Sequence, residues 1–174
     1  TGADPELTTG RGTGIDDGAL AHKAAVVRRA IELNRPNPKD GLDVLTKVGG
    51  FEIGVLAGVM LGAAAGQRPL VVDGFISGAA ALIAFTIAPQ ARHRFIASHQ
   101  SVEPGHHIQL DAMKLSPLLD MGMRLGEGTG AALAMHIIEA SAKCLSDMAT
   151  FTEAGVPERT GEEDGDENGD EAAH

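Results

Sequence analysis

Two short glycine-rich motifs of the same pattern each carry a charged residue at their second position. "GRGTG" spans residues 10–14 and "GEGTG" spans residues 126–130, and each precedes a predicted helix. Glycine-rich turns of this kind bind phosphate, because free backbone N–H groups and the positive helix end attract anions. The first motif fits such an anion site, in which Thr13 would add a hydroxyl. The alternative is that it is only a structural turn.

The second motif does not fit a phosphate site, because Glu127 would repel the ligand. A carboxylate flanked by glycines has little bulk around it, so a flat substrate could reach it. The alternative is a glutamate near a helix start that only complements the helix macrodipole. Composition alone does not decide between these two interpretations.

Three other polar residues are candidates for a site. Lys23 lies beside the apolar face of a predicted helix, where it either snorkels into solvent or leans over a phosphate or carboxylate. Asp73 directly follows the apolar strand "PLVV", where carboxylates bond a ribose hydroxyl or a backbone turn. Ser101 is a plausible hydroxyl donor to a phosphate.

Histidines at 99, 106 and 107 raise the question of a metal site. Their spacing matches no familiar ligand set and no second thiolate accompanies Cys144, so polar loop histidines are favoured. Ser98, His99 and Asp73 could be drawn as a catalytic triad, but "FIASHQS" lacks a nucleophile elbow.

The elements that must position these residues alternate between helices and short apolar strands. Predicted helices cover 17–34 (with Leu20, Ala24, Val27 and Ile31 on one buried face), 42–48, 51–66 (buried nearly all round), 77–87, 106–114, 117–121 and 129–149. Predicted strands cover 69–72 and 94–97, and residues 98–105 are predicted as a loop. This order indicates an α/β fold with a parallel sheet, whose site lies beyond the carboxyl ends of the strands.

Composition limits the kind of protein. With 43% hydrophobic residues, no Trp, no Tyr and five Phe, the core must be aliphatic, and one Cys suits a reducing cytoplasm. The net charge is −10, of which −7 falls after Val156, so a basic nucleic-acid footprint is not expected. The apolar runs at 53–66 and 75–89 are about 15 residues long, short of the roughly 18 that a membrane span needs. Buried helices are favoured over a membrane hairpin.

Five motifs in order, "GRGTGIDD", "VGGFEIGVLAGVMLGAAA", "VVDGFISGAAAL", "SHQSVEPGH" and "RLGEGTGAALAM", resemble the nicotinate-nucleotide–dimethylbenzimidazole phosphoribosyltransferase family. The resemblance runs from about residue 8 to 156 and is to the C-terminal half of that family. It implies a Rossmann-like parallel sheet flanked by helices, with the C-terminal helix contributing to a small helical domain. Residues 1–156 would form this part of the phosphoribosyltransferase domain, and residues 157–174 an acidic disordered tail. Because the chain starts at Thr1, close to its first motif, we expect a fragment.

The resemblance also implies an activity. Phosphoribose would pass from nicotinate mononucleotide to 5,6-dimethylbenzimidazole in cobalamin lower-ligand assembly, giving α-ribazole 5′-phosphate and nicotinate without a cofactor or metal. Glu127 matches the family's general base. The implied substrate-binding residues are Gly12, Thr13, Gly14, Lys23, Asp73, Gly74, Phe75 and Ser101. The family implies a cytoplasmic homodimer.

A second hypothesis is a non-catalytic nucleotide-binding or partner-binding module that needs a separate N-terminal half. In either case the isolated chain is expected to have little activity, since the family's upstream glutamate-bearing motif is absent from it.

Overall fold

The computed structural model describes residues 1–12 and 14–156. Thr13 and the predicted acidic tail at 157–174 therefore lie outside the described residues. The helices are α1 (Pro5–Thr8), α2 (Asp17–Asn34), α3 (Gly41–Val48), α4 (Phe51–Ala65), α5 (Phe75–Ile87), α6 (Pro104–Met113) and α7 (Thr129–Asp147), with a 3₁₀ helix at Pro89–Arg94. The strands are β1 (Leu70–Val72), β2 (Phe95–Ala97), β3 (His99–Ser101) and β4 (Leu119–Met123).

Short-range capping explains where the first long helices begin. The carboxylate of Asp16 accepts a hydrogen bond from the Ala19 N–H (2.8 Å) and so caps α2. Asp40 caps α3 in the same way after the proline-containing connection. The predicted apolar face of α2 is only partly correct, because Ala24 is buried whereas Ile31 is 42% exposed.

The four strands form two parallel pairs that share one extended segment. β1 pairs with β2, and β3 pairs with β4. Residues 95–101 run through both pairs, and Ser98 lies at the junction between β2 and β3. Its N–H donates to the Val72 carbonyl (2.9 Å), and its own carbonyl accepts from the Leu119 N–H (3.0 Å). One chain segment therefore connects both sheets.

Two predictions in this region are wrong. Residues 98–105 are not a loop, because they contain β3 and the start of α6, and residues 117–121 are not helical, because β4 runs through them. β3 consists of three polar residues and is held by its pairing with β4. Tertiary pairing here outweighs local propensity.

The main core lies where α4, α5 and the 3₁₀ helix pack beside β1 and β2. Ala80, Ala81 and Ala84 of α5 are fully buried, and their small side chains let neighbouring elements approach closely. The core is aliphatic as predicted, with Phe95 as an aromatic addition.

Helix α4 is not buried all round as predicted. Phe51, Val55 and Val59 are 95%, 67% and 59% exposed, because the described residues pack against only one side of this helix. Among the described residues, no helix is long and apolar enough to cross a membrane.

The chain divides into two compact units, residues 1–139 and 140–174. The first contains the core and both sheets. In the described part of the second, the last turns of α7 are followed by a turn in which the Thr150 N–H donates to Glu153 (2.8 Å). The expected α/β class with parallel strands flanked by helices is confirmed.

Candidate active site

A cleft of about 560 Å³ opens at the carboxyl ends of the strands, where an open parallel sheet is expected to place its site. Three segments that follow β1, β3 and β4 form most of its wall, and α2 and α4 add two side chains. The lining residues are Gly12, Lys23, Leu56, Asp73, Gly74, Phe75, Ile76, Ser77, His99, Ser101, Glu103, Arg124, Leu125, Gly126, Glu127 and Gly128.

Most of the residues singled out from the sequence come together in this cleft. Those that line it are Gly12, Lys23, Asp73, Gly74, Phe75, Ser101 and Glu127. Gly14 is not among the lining residues, and Thr13 lies outside the described residues. Residues up to 115 positions apart in sequence, from Gly12 to Glu127, thus share one cavity.

The GEGTG turn has an unusual backbone. Gly126, Glu127 and Gly128 all have positive φ (76°, 56° and 75°), and Glu127 is the one member with a side chain. The left-handed region is unfavourable for such a residue, so the turn holds Glu127 under strain. The hydroxyl of Thr129 donates to the Gly126 carbonyl (2.8 Å) and closes the turn. Such strain is typical of functional sites.

The carboxylate of Glu127 is available to a ligand. It is exposed and forms no hydrogen bond or ion pair with any residue that the structure describes. A carboxylate that already served as a helix cap would be engaged by backbone N–H groups. The carboxylate is thus open to a ligand, and its interaction with the helix macrodipole, which needs no hydrogen bond, applies to both interpretations.

Asp73 performs the capping at this helix start instead. Its Oδ1 accepts a hydrogen bond from the Ala131 N–H (2.9 Å) in the first turn of α7. The sequence left open whether Asp73 bonds a ribose or a backbone turn, and one of its oxygens bonds the backbone. This bond ties the end of β1 to the start of α7, and therefore to the turn that carries Glu127.

His99 is not the polar loop histidine that was predicted. It lies on β3, is 1% exposed, and has its Nδ1 3.0 Å from Ser98 Oγ and 3.9 Å from Asp73 Oδ1. The Ser98 hydroxyl donates to the Asp73 carbonyl (2.9 Å) and is buried. Ser98 is thus a structural hydroxyl, and these three residues do not form a hydrolytic triad.

His106 also differs from its prediction, because it is fully buried in α6. Its Nδ1 accepts a hydrogen bond from the Ser101 N–H (2.9 Å), which holds the end of β3, where Ser101 lines the cleft. Burial, together with the nearby His99 and His107, lowers the pKa of His106 to about 4. The imidazole is neutral near pH 7. In the described part of the chain, no group of three or more His, Cys, Asp or Glu side chains could hold a metal ion.

The cations of the cleft have defined positions. Lys23 Nζ donates to the Gly10 carbonyl (3.0 Å), which brings its charge from α2 to the first glycine-rich turn. Arg124 follows β4 and lines the cleft beside the second turn. Among the described residues, no side chain caps the start of α5 at Gly74, so its first N–H groups remain available to an anion.

Two charged cleft residues were missed from the sequence, Glu103 and Arg124. Glu103 packs so closely on Gly10 that a β-carbon at Gly10 would overlap its carboxylate. Both residues follow strands that were predicted as other structure. Recognition of β3 and β4 would have placed them at strand ends, where site residues concentrate.

The sequence of this chain matches one family of known proteins. A family profile described as Phosphoribosyltransferase matches residues 1–156. Nicotinate-nucleotide–dimethylbenzimidazole phosphoribosyltransferase of Chloroflexus aggregans is 63% identical over 91% of this chain and 45% of its own length. The protein of the same name from Desulforamulus reducens is 60% identical over 90% of this chain and 44% of its own length.

Solved structures give the same result. CobT from Thermus thermophilus superposes with a TM-score of 0.83 at 46% identity, covering 90% of this chain and 46% of that one. The chain spans about half the length of the curated relatives it matches. Profile, sequence identity and superposition agree, and the chain belongs to the nicotinate-nucleotide–dimethylbenzimidazole phosphoribosyltransferase family.

Proposed function

We propose that this chain supplies a large part of the active site for transfer of phosphoribose from nicotinate mononucleotide to 5,6-dimethylbenzimidazole. The observation that carries the proposal is the unengaged carboxylate of Glu127, which shares one cleft with Lys23 and Ser101. Family membership supplies the reaction class, and the cleft supplies the groups that such a reaction needs.

In the proposed step, the unprotonated ring nitrogen of the benzimidazole attacks C1′ of the nucleotide. The bond from C1′ to the nicotinate nitrogen breaks, and its electron pair leaves with nicotinate, whose ring nitrogen becomes neutral. Positive charge grows on the attacking ring, and Glu127 stabilises this charge before it takes the proton from the second ring nitrogen. The products are α-ribazole 5′-phosphate, nicotinate and a proton held by Glu127.

In this proposal, the phosphate of the nucleotide binds to hydrogen-bond donors and a positive charge, away from Glu127. The hydroxyl of Ser101, the ammonium of Lys23 and the open N–H groups at the start of α5 suit a phosphate. Gly12 and Gly14 would let the backbone approach the phosphate, and Thr13 would add a hydroxyl. Gly74, Phe75 and the second carboxylate oxygen of Asp73 would line the ribose. No cofactor or metal has a part in this scheme.

Product analysis tests the proposal. The full-length gene product, incubated with both substrates, is expected to release nicotinate and form α-ribazole 5′-phosphate in equal amounts, measured by chromatography. This chain alone is expected to show little or no turnover. Absence of both products from the full-length protein would overturn the proposed function, and robust turnover by this chain alone would overturn the expectation about it.

A second candidate function is a nucleotide-binding module without catalysis, in which Lys23, Ser101 and the open N–H groups at the start of α5 would hold the phosphate. Calorimetry separates the two functions. Binding of nicotinate mononucleotide by the full-length protein without any product would support the module. We also propose that the protein is cytoplasmic and forms a homodimer. Sedimentation of the full-length protein at several concentrations would test the homodimer.

A further inference from the structure

His99 lies between the starts of two helices that face the cleft. A β-carbon at Gly130, in the first turn of α7, would overlap the imidazole. A β-carbon at Gly74, before α5, would lie 3.3 Å from its Cε1. The ring is therefore in close contact with backbone on both sides, and two glycines are what make room for it.

The hydrogen bonds of Ser98 determine which ring nitrogen of His99 carries the proton. The Ser98 hydroxyl has one proton and donates it to the Asp73 carbonyl (2.9 Å), which can only accept. The 3.0 Å contact between Ser98 Oγ and His99 Nδ1 therefore needs its proton from Nδ1. His99 is assigned as the Nδ1–H form, in contrast to His106, whose Nδ1 accepts the Ser101 N–H.

The same ring nitrogen faces the carboxylate that caps α7. Asp73 Oδ1 lies 3.9 Å from His99 Nδ1 and accepts the Ala131 N–H at 2.9 Å. Ring, serine and aspartate thus connect β3, the end of β1 and the first turn of α7. Glu127 lies three residues before Gly130, in the turn that opens this helix.

We propose that His99 is a positioning residue that fixes Glu127 through its Nδ1–H. The ring spaces the start of α7 from the end of β1, and its bond to Ser98 holds it in the one orientation that fits between Gly74 and Gly130. Because Glu127 lies in the turn that opens α7, its position in the cleft is fixed as well. The inference about catalysis rests on the proposed function, whereas the tautomer and the geometry do not.

Two substitutions separate the two nitrogens of the ring. His99→Asn keeps a donor near the position of Nδ1, whereas His99→Gln keeps a polar group near Nε2 and loses the Nδ1 donor. In the full-length gene product, we expect His99→Gln to lower kcat at least tenfold while the KM for the nucleotide changes less than threefold. We expect His99→Asn to retain kcat within about threefold, at a melting temperature close to that of His99→Gln.

Two outcomes would overturn the proposal. A greater loss in His99→Asn than in His99→Gln would mean that Nε2 contacts the substrate directly. Equal losses that follow the melting temperature would mean that His99 only stabilises the fold.

A measurement on the unaltered full-length protein is independent of activity. The ¹⁵N shifts of labelled histidine are expected to identify His99 as the Nδ1–H tautomer, and His99→Gln is expected to shift the amide resonances of Gly126 and Gly128. An Nε2–H tautomer, or unchanged amide resonances, would overturn the positioning role. If the tautomer and shifts appear in a protein without transferase activity, the proposed function fails and the geometric inference stands.

Discussion

The two glycine-rich turns share the pattern Gly-x-Gly-Thr-Gly, but the charged residue at the second position has different partners in each. Arg11 is engaged by residues just after its turn, because it donates to the Ile15 carbonyl (2.8 Å) and pairs with Asp17 at the start of α2. Glu127 is held at positive φ and bonds no residue that the structure describes. The two turns therefore differ in whether the charged side chain is bonded to the protein, and only the unbonded one, Glu127, is proposed to act on a substrate.

The largest difference between the turns should appear in turnover. Glu127→Gln in the full-length protein is expected to lower kcat by about 10²–10⁴-fold, because the amide cannot accept the proton. Arg11→Gln, the matched change in the other turn, is expected to alter kcat only a few-fold. Steady-state kinetics with nucleotide binding measured separately would check both, and a similar kcat for Glu127→Gln and the parent protein would exclude the base assignment.

Acid should affect the surroundings of the two turns in different pH ranges. His106 packs beside His99, which contacts Gly130 of the second motif, and its pKa is lowered to about 4, below its ordinary value of about 6.5. The unfolded chain binds a proton at His106 more readily than the folded chain does. The effect of His106 on the free energy of unfolding is therefore absent above pH 6.5, and the free energy falls as the pH drops towards 4. The loss should reach up to about 3 kcal/mol.

At the first turn, Arg11 lowers the pKa of Asp17. The contribution of this ion pair to the free energy of unfolding is therefore lost only below about pH 3.8. Urea unfolding from pH 4 to 7.5 would measure the His106 effect. His106→Asn, which can still accept the Ser101 N–H, is the control that should flatten the curve. An unchanged slope in that variant would assign the pH dependence to other groups.

The last glycines of the two motifs should differ in their tolerance of a methyl group. Gly130→Ala is expected to destabilise the protein by about 2–3 kcal/mol, because the new carbon overlaps His99. Around a β-carbon at Gly14 no atom of the described residues lies within 4 Å, and φ is +108°, so Gly14→Ala should cost only the backbone strain, about 1 kcal/mol. Denaturant midpoints of the two variants give the comparison, and equal values would contradict the close packing of His99.

The smallest predicted effect is on the free energy of unfolding when the charged residue of each turn is replaced by glycine, and its sign differs between the two turns. Glu127→Gly is expected to raise the free energy of unfolding by about 0.5–1 kcal/mol, because it relieves positive φ while it removes activity. Arg11 is not among the positive-φ residues, so Arg11→Gly should lower stability. Thermal unfolding of both variants is the measurement, and loss of stability in Glu127→Gly would show that the turn is unstrained.

Much of the fold was predictable where local signals are strong. The cap at Asp16, the helices with small apolar residues, and the strand before Asp73 all follow from residue type and spacing. The position of the site also followed, because strand ends in a parallel sheet gather at one edge.

What could not be predicted depends on contacts between distant segments. His99, Gln100 and Ser101 form a strand only because β4 pairs with them, and "LDMGM" becomes β4 for the same reason. The error over His99 followed directly, since a polar triplet assigned to a loop is not expected to be buried. The role of Asp73 as a cap for a helix 58 residues away has no local signal at all.

The shared segment through residues 95–101 has a consequence for insertions and deletions. Side chains on a strand alternate between faces, so adding one residue next to Ser98 would turn β3 over relative to β2. His99 would leave its place between the two helix starts, although neither the helices nor the glycine-rich turns had been altered. The connection between the two sheets is therefore a poor place for length variation, whereas the exposed proline-containing connection before α3 can absorb it.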